Sequence, residues 1–366
     1  MKLFGWKAGR EGSRPALSRG GSGVTVGELP QGYDAQVRAG YLGNAIVQRA
    51  VRLVSEAVGS APLDASAPGL VALLRAKTAG RRLGEVAAAQ VLLHGNAFVQ
   101  ILRDPAGDAA ALYPLRPERV AVVLDAAGWP AGYRYTVAGR ASVLAPDEVI
   151  HLRGFHPLDD HYGLGCLGAA SAAIAVHNAA AKWNKAPLDN AARPSGALVY
   201  DPGDGSTLSA EQFRRLRDEM DAGFAGAGNA GRPMLLEGGL KWQALSLSPA
   251  DMDFVGLKAA AAREIALAFG VPPMLMGLPG DNAYANYREA NRALWRLAIL
   301  PLAENILGGL RQALAPWFPE AELTVDLDRV TALAEDRERL WRQVGAADFL
   351  TAEEKRAMVG LGAREG

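Results

Sequence analysis

The chain has 366 residues, 49% of them hydrophobic, enough to bury a substantial core and long enough for two or three structural units. Lysine plus arginine and aspartate plus glutamate each number 39, so the formal net charge is zero, which argues against a protein that grips nucleic acid through excess positive charge. The one cysteine, Cys166, excludes an internal disulfide framework and a multi-cysteine zinc site, and fits a reducing compartment.

Residues 1–24 are rich in Gly, Ser and Arg and lack periodicity, so they read as a mobile arm. They hold no apolar core of signal-peptide length, and no uninterrupted apolar run reaches the roughly 20 residues of a membrane span. The expectation is a protein made in the cytoplasm without a membrane role. In "NAIVQRAVRLVSEAV" the apolar residues recur on one helical face behind an Asn44 cap. A second helix near Leu83–Leu93 ends at Gly95, which can take the left-handed conformation. The period then changes. "AFVQILRD", "ERVAVVLD", "GYRYTVAG" and "EVIHLRG" read as strands separated by turns at "DPAGD", "AAGWPAG" and "APDE", and Ala97–Gly154 is expected to be an antiparallel meander packed on the two preceding helices.

The alanine-rich run Ala169–Asn190 reads as a helix of about 30 Å that Pro187 ends or bends. Next comes a small unit: a strand "SGALVYD", a helix "LSAEQFRRLRDEMDAGFAG" capped by Thr207 or Ser209, and two strands in "GRPMLLEGGLKWQALSL". A helix from Pro249, with Ser248 as cap, returns over a length similar to the first, so a helical hairpin carries a compact head. Gly270, Pro272 and Pro273 stop it. The loop that follows is longer than an ordinary connection and rich in Met, Asn and Tyr. Beyond it, "REANRALWRLAILPLAENILGGLRQAL" places Ala290, Leu294, Leu297, Leu307, Leu310 and Leu314 on one side, and Pro301 should kink it. A strand "ELTVDLD" and a charged helical tail close the chain. The fold class is α+β, with no internal repeat.

Chemistry is harder to find. There is no phosphate-binding loop, nucleophile elbow, His-Glu-x-x-His pair or paired-cysteine pattern. His151, His156 and His161 are spaced by five, which suits no single helix or strand face, so a metal there would need a fitted loop. A polar loop leading into the long helix is the plainer reading. His94 and His177 read as structural, and Cys166 as a small buried residue. Arg214, Arg215 and Arg217 beside Asp218, Glu219 and Asp221 are either a solvated mixed-charge face or a docking surface. Met274, Met276 and Leu278 either fill core or form a surface that repacks against changing partners.

In their order along the chain, "LLHGNAFVQILRD", "LYPLRPERV", "EVIHLRG", "NAARPSGAL", "IALAFGVPPMLMG" with "YANYREANRALWRLAILPLAENI", and "FLTAEEKRAMVGL" resemble the HK97-type portal proteins of tailed bacteriophages, which also occur in prophages and gene transfer agents. The resemblance covers the chain from about Tyr41. One departure is Gly163-Leu164-Gly165-Cys166-Leu167, where family members often have Gly-Leu-Ser-Pro-Leu.

The resemblance implies a portal fold: an α/β wing (25–165), stem helices (166–193 and 249–270), a small α/β clip (194–248), a tunnel loop (271–288), a kinked helix with a wing-return strand (289–327) and a helical crown (328–366). It implies a homo-oligomeric ring, usually of twelve subunits, at one vertex of a shell of major capsid protein, through which double-stranded DNA is packaged and released. The clip would meet the terminase large subunit and then the head-tail adaptor. Asn282, Tyr284, Asn286, Tyr287 and Arg288 would face the channel, and Arg214, Arg215 and Arg217 would dock partners. Gly270, Pro272, Pro273 and Pro301 would shape the path around the loop. No cofactor, metal or catalysis is implied. A non-channel adaptor or scaffold, and a metal-dependent enzyme using the His151/His156/His161 loop, stay open at this point.

Overall fold

The computed structural model describes residues 32–78, 80–189, 196–203, 207–224, 239–244, 254–278 and 284–361. The expected arm 1–24, the first of the two strands expected in "GRPMLLEGGLKWQALSL", Ser248, Pro249, Asn282 and the side chain of Tyr284 lie outside the described residues. In chain order come α1 (Tyr33–Val37), α2 (Ala45–Ser60), β1 (Leu63–Ala65), α3 (Pro68–Arg75), β2 (Lys77–Thr78), β3 (Arg81–Arg82), α4 (Leu83–His94), β4 (Asn96–Arg103) and β5 (Ala109–Leu115). Then follow β6 (Val120–Leu124), β7 (Pro130–Val137), β8 (Arg140–Leu144), β9 (Val149–Arg153), α5 (Cys166–Ala169), α6 (Ser171–Asp189), β10 (Gly196–Tyr200), α7 (Ala210–Phe224), β11 (Leu240–Ala244) and α8 (Phe254–Ala268). The last elements are α9 (Tyr284–Leu294), α10 (Leu300–Leu314), β12 (Leu323–Val325), α11 (Ala334–Gly345) and α12 (Ala352–Met358). Two compact units result: Met1–Ala170 with Ala266–Gly366, and Ser171–Ile265.

In the first unit, the Asn44 side chain caps α2 by accepting from the Ile46 and Val47 amides at 3.0 and 3.1 Å. This helix buries Val47, Ala50, Val51 and Val54 against α4, which ends at Gly95 with φ 84°. Two three-stranded antiparallel sheets follow, β5-β4-β9 and β6-β7-β8. They share a core of Phe98, Leu115, Val120, Val122, Tyr133 and Val149, in which burying Phe98 alone contributes about 2–3 kcal/mol.

The single meander expected for 97–154 is therefore corrected. Only β6-β7-β8 is a meander; β9 leaves it to pair with β4, with His151 opposite Phe98. Strand β4 is buried along most of its length and cannot leave a backbone edge open to water, so it takes a strand on each side, whereas the exposed β8 tolerates an edge. The turns fall where the sequence signals them: Asp104 Oδ1 accepts from Ala106 and Asp108, and Asp125 Oδ1 from Ala127 and Trp129. Strand β12 pairs with β1, joining the far end of the chain to residues 63–65.

Helices α9 and α10 run on without a break through a π-helical turn, Trp295–Ile299, in which the Leu300 amide bonds back to Trp295 O. That wide turn absorbs Pro301, the second residue of α10, which has no amide to give. The extra residue also rotates the face. Leu297, expected on one side with Leu294, Leu307, Leu310 and Leu314, is 79% exposed while those four are buried, and Ile299 takes the buried place ahead of Ala303 and Ile306. Residues 286–314 are long and apolar enough on average to cross a membrane, and the third of that apolar window that is buried is the row facing the core.

The tail is pinned by Asp328, which accepts from Arg337 at 2.5 and 3.0 Å and from Trp341 Nε1 at 3.1 Å. Thr351 and Glu354 form a reciprocal capping box at α12.

In the second unit, α6 continues through Pro187 to Asp189, so that proline does not end it. Near a helix end only one bond, to the Trp183 carbonyl, is forfeited. Strands β10 and β11 pair antiparallel from Gly196↔Ala244 to Tyr200↔Leu240. Of the two candidate caps for α7, Ser209 is the one used. Its Oγ accepts from the Gln212 amide at 3.2 Å while Gln212 Oε1 accepts from the Ser209 amide at 2.8 Å.

Candidate functional site

The stop at the end of α8 is a helix-terminating glycine motif. Gly270 has φ 67°, its amide bonds to Leu267 O, and the Val271 amide bonds to Ala266 O, both at 2.9 Å. This is the paired 6→1 and 5→2 pattern of a Schellman end, with Val271 buried as its apolar seal. A Cβ at Gly270 would lie 3.3 Å from Ala298 Cβ, so the stop packs on the π-helical turn. Pro272 leads into a 3₁₀ turn, Pro273–Met276, closed by Gly277 with φ 71°. Within it Leu275 is buried and Met274 and Met276 are half-buried, so this part of the segment is core filling more than open surface.

The tunnel-loop residues are only partly in a loop. Tyr284, Asn286, Tyr287 and Arg288 belong to the first turns of α9, so the helix expected from 289 starts at Tyr284. Asn286 and Tyr287 are exposed. Arg288 is paired: its Nη1 meets Glu335 Oε1 at 2.5 Å. Four residues on, on the same helical face, Arg292 meets Glu335 at 2.6 Å, Glu289 at 3.0 Å and Asp336 at 3.4 Å. The contacts to Glu335 and Asp336 clamp α9 to α11. The sequence reading missed Arg292, Glu335 and Asp336, although the four-residue spacing of the two arginines was visible.

On α7, Arg214, Arg215 and Arg217 are all exposed, as is the neighbouring Phe213. Arg215 pairs with Glu219 at 3.1 Å and Arg214 Nε donates to Ala210 O.

The histidine loop resolves into packing. His151 stacks on Phe98, centroids 4.2 Å apart, and its Nε2 donates to Asn96 Oδ1 at 3.0 Å. Burial first, then nearby Arg153, holds its pKa down at about 3. His156 Nδ1 accepts from the Leu158 amide, and His161 is buried near enough to His151 to add to the lowering of its pKa. Among the described residues no group of three His, Cys, Asp or Glu side chains is assembled to hold a metal. Burial lowers His94 to about 4 and lowers His177, and it pushes the half-buried Cys166 thiol up to about 11.

Asn96 is the centre of this region. Its Oδ1 also accepts from the Gly163 amide at 2.7 Å, and its Nδ2 donates to Gly163 O at 3.2 Å and His94 O at 3.3 Å. Gly95, Gly154 and Gly163 cross so closely that a Cβ on Gly163 would lie 2.1 Å from Gly95 O. The "HGN" and "GLG" glycines mark one backbone crossing that ends β9 and aims the chain towards α5.

A family model described as phage portal protein matches residues 45–360. The chain belongs to the phage portal protein family. A chain from the neck of a native gene transfer agent particle, computed with C12 symmetry, is 48% identical over 91% of this chain and 94% of its own, with a TM-score of 0.70. The probable portal protein of Streptomyces phage phiC31 is 28% identical over 82% of this portal chain and 68% of its own length. An HK97-family phage portal protein from Corynebacterium diphtheriae shares the fold, with a TM-score of 0.60 at 20% identity over 82% of this chain and 96% of that one.

Proposed function

We infer that copies of this chain form the portal ring of a phage-like particle, seated at one vertex and carrying double-stranded DNA in and out. The observation that supports it most is the family match from residue 45 to 360, with the 48% likeness to a chain from a neck computed with C12 symmetry. The zero net charge suits such a channel, because each firm phosphate contact would retard sliding DNA. The chain's role is structural, and the work of packaging falls to a separate ATPase.

Finer assignments belong to the same reading. Residues 25–165 serve as wing, the helices within 166–193 and 249–270 as stem, 194–248 as clip, and 328–366 as crown. The clip, through Arg214, Arg215 and Arg217, meets the terminase large subunit and later the head-tail adaptor, while the wing faces the major capsid protein. The segment 271–288 borders the lumen, where Asn282, Tyr284, Asn286 and Tyr287 touch DNA or neighbouring loops, and Arg288 braces them through Glu335. The subunit is made in the cytoplasm before it joins the particle.

Electron microscopy of the purified protein tests the reading. Rings with a central hole wide enough for duplex DNA are expected. A stable monomer at every concentration, or a ring too narrow for the duplex, would overturn it.

A further inference from the structure

We propose that the cavity between α2, α3, α4 and α10 is a socket for residues 348–354 of a neighbouring copy, with Phe349 as the inserted side chain. The proposal rests on the ring reading. The cavity holds about 370 Å³, within the range of pockets that enclose a compact apolar group. Its floor includes the buried Leu74, Leu83 and Leu310, and its mouth carries the exposed cations Arg75, Lys77, Arg82 and Arg329. Among the described residues only Arg329 comes near a carboxylate, Asp326 at 4.0 Å, while Arg82 donates to the Gly59 carbonyl at 2.9 Å. An apolar floor under a positive mouth fits an acidic segment with one bulky apolar side chain.

The chain itself carries such a segment. Phe349, in the turn between α11 and α12, is 86% exposed, so it does not fill the cavity of its own copy. Asp348 and Glu353 flank it, exposed, and Glu354 is engaged in the capping box. Two other segments fit less well. Residues 1–31 carry Lys2, Lys7, Arg10, Arg14 and Arg19 against Glu11 and Glu28, so the positive mouth repels them. Phe155 is as exposed, but Asp159 near it is spent on the His161 and Tyr162 amides. In a cyclic ring every contact is heterologous, so each copy presents the socket to one neighbour and the knob to the other.

The test places a photo-cross-linker in the full chain, Phe349→p-benzoylphenylalanine, at a position whose exposure spares folding. Rings assembled from isotopically light and heavy copies are irradiated and the linked peptides read by mass spectrometry. Links between copies to residues 58–63, 74–84 or 303–310 are expected. Links between copies to any other surface, or links only within one copy, would overturn the proposal. Failure of the unmodified chain to form rings would remove the ring reading first, and is seen before any irradiation. As a second measurement, Arg75→Glu with Lys77→Glu should raise the protein concentration needed for rings about tenfold, and adding Asp348→Lys with Glu353→Lys should restore it. An unchanged requirement in the first variant, or no restoration in the second, would also overturn it.

Discussion

Acidification should loosen the first unit through two imidazoles that are buried neutral. His94 and His151 have folded-state pKa values of about 4 and about 3, against about 6.5 in an unfolded chain. Below pH 6.5 the unfolded state therefore binds more protons than the folded one. The stabilisation is complete above that pH and is lost as pH falls towards 4. At pH 5 each ring has crossed about 1.5 pH units of that window, at about 1.4 kcal/mol per unit, so the pair costs about 4 kcal/mol.

The geometry gives the reason. His94 Nδ1 faces the Asn96 amide nitrogen at 3.1 Å, where a proton would point donor at donor, and His151 lies between Phe98, Tyr133 and Tyr162. Asp147, Asp201, Asp328 and Glu354 are held below the ordinary carboxylate range, chiefly by hydrogen bonds from Arg103, Lys241, Arg337 and the Thr351 amide, so they shift away from the interval between pH 7 and pH 5. Urea unfolding at pH 7 and pH 5 measures the effect. The midpoint should fall steeply in the parent and by about half as much in His151→Gln. An equal fall in both would refute the assignment.

Three further outcomes are expected. Gly163→Ala drives a methyl against the Gly95 carbonyl and should destabilise the protein by about 3 kcal/mol or more in urea unfolding, while Gly107→Ala, whose Cβ meets nothing within 4 Å, should cost about 1 kcal/mol. Ala138 has φ 48° in the two-residue turn between β7 and β8, a conformation that asparagine accepts more readily, so Ala138→Asn should stabilise by about 0.5–1 kcal/mol, read as a rise in Tm. Reversing Arg214, Arg215 and Arg217 to Glu should leave rings intact in electron micrographs and weaken capture of the terminase or adaptor about tenfold or more; unchanged capture would remove α7 from the docking surface.

Local chemistry was legible in the sequence because it is written within a few residues. The Asn44 cap, the Gly95 and Gly270 helix ends, the Ser209 box and the Asp104 and Asp125 turns depend on side chains bonding to backbone two to four positions away. What the sequence concealed is non-local. Pairing of β9 with β4 rather than β8 follows from which strand edges end up buried, a property of the assembled layers. Leu297 faces solvent because one extra residue in the π-helical turn rotates everything after it, and no residue type marks that turn beyond Pro301 itself. Glu335 reached the candidate site across 43 and 47 positions, from a segment that reads as an ordinary charged helix.

The pairing of β1 with β12 also governs how the chain is made. Ser66 and Glu322 close their reciprocal hydrogen bonds across 256 positions, and Trp317 reaches back 210 positions to the Gly107 carbonyl. A ribosome must therefore finish the whole of Ser171–Ile265 and reach β12 before this pairing can close. Chains abandoned before residue 300 lack both α10, which floors the socket, and Phe349, which fills it, and chains abandoned later but before residue 349 still lack the knob. Any ring built through that contact draws its members only from completed copies, so translation itself acts as quality control on assembly.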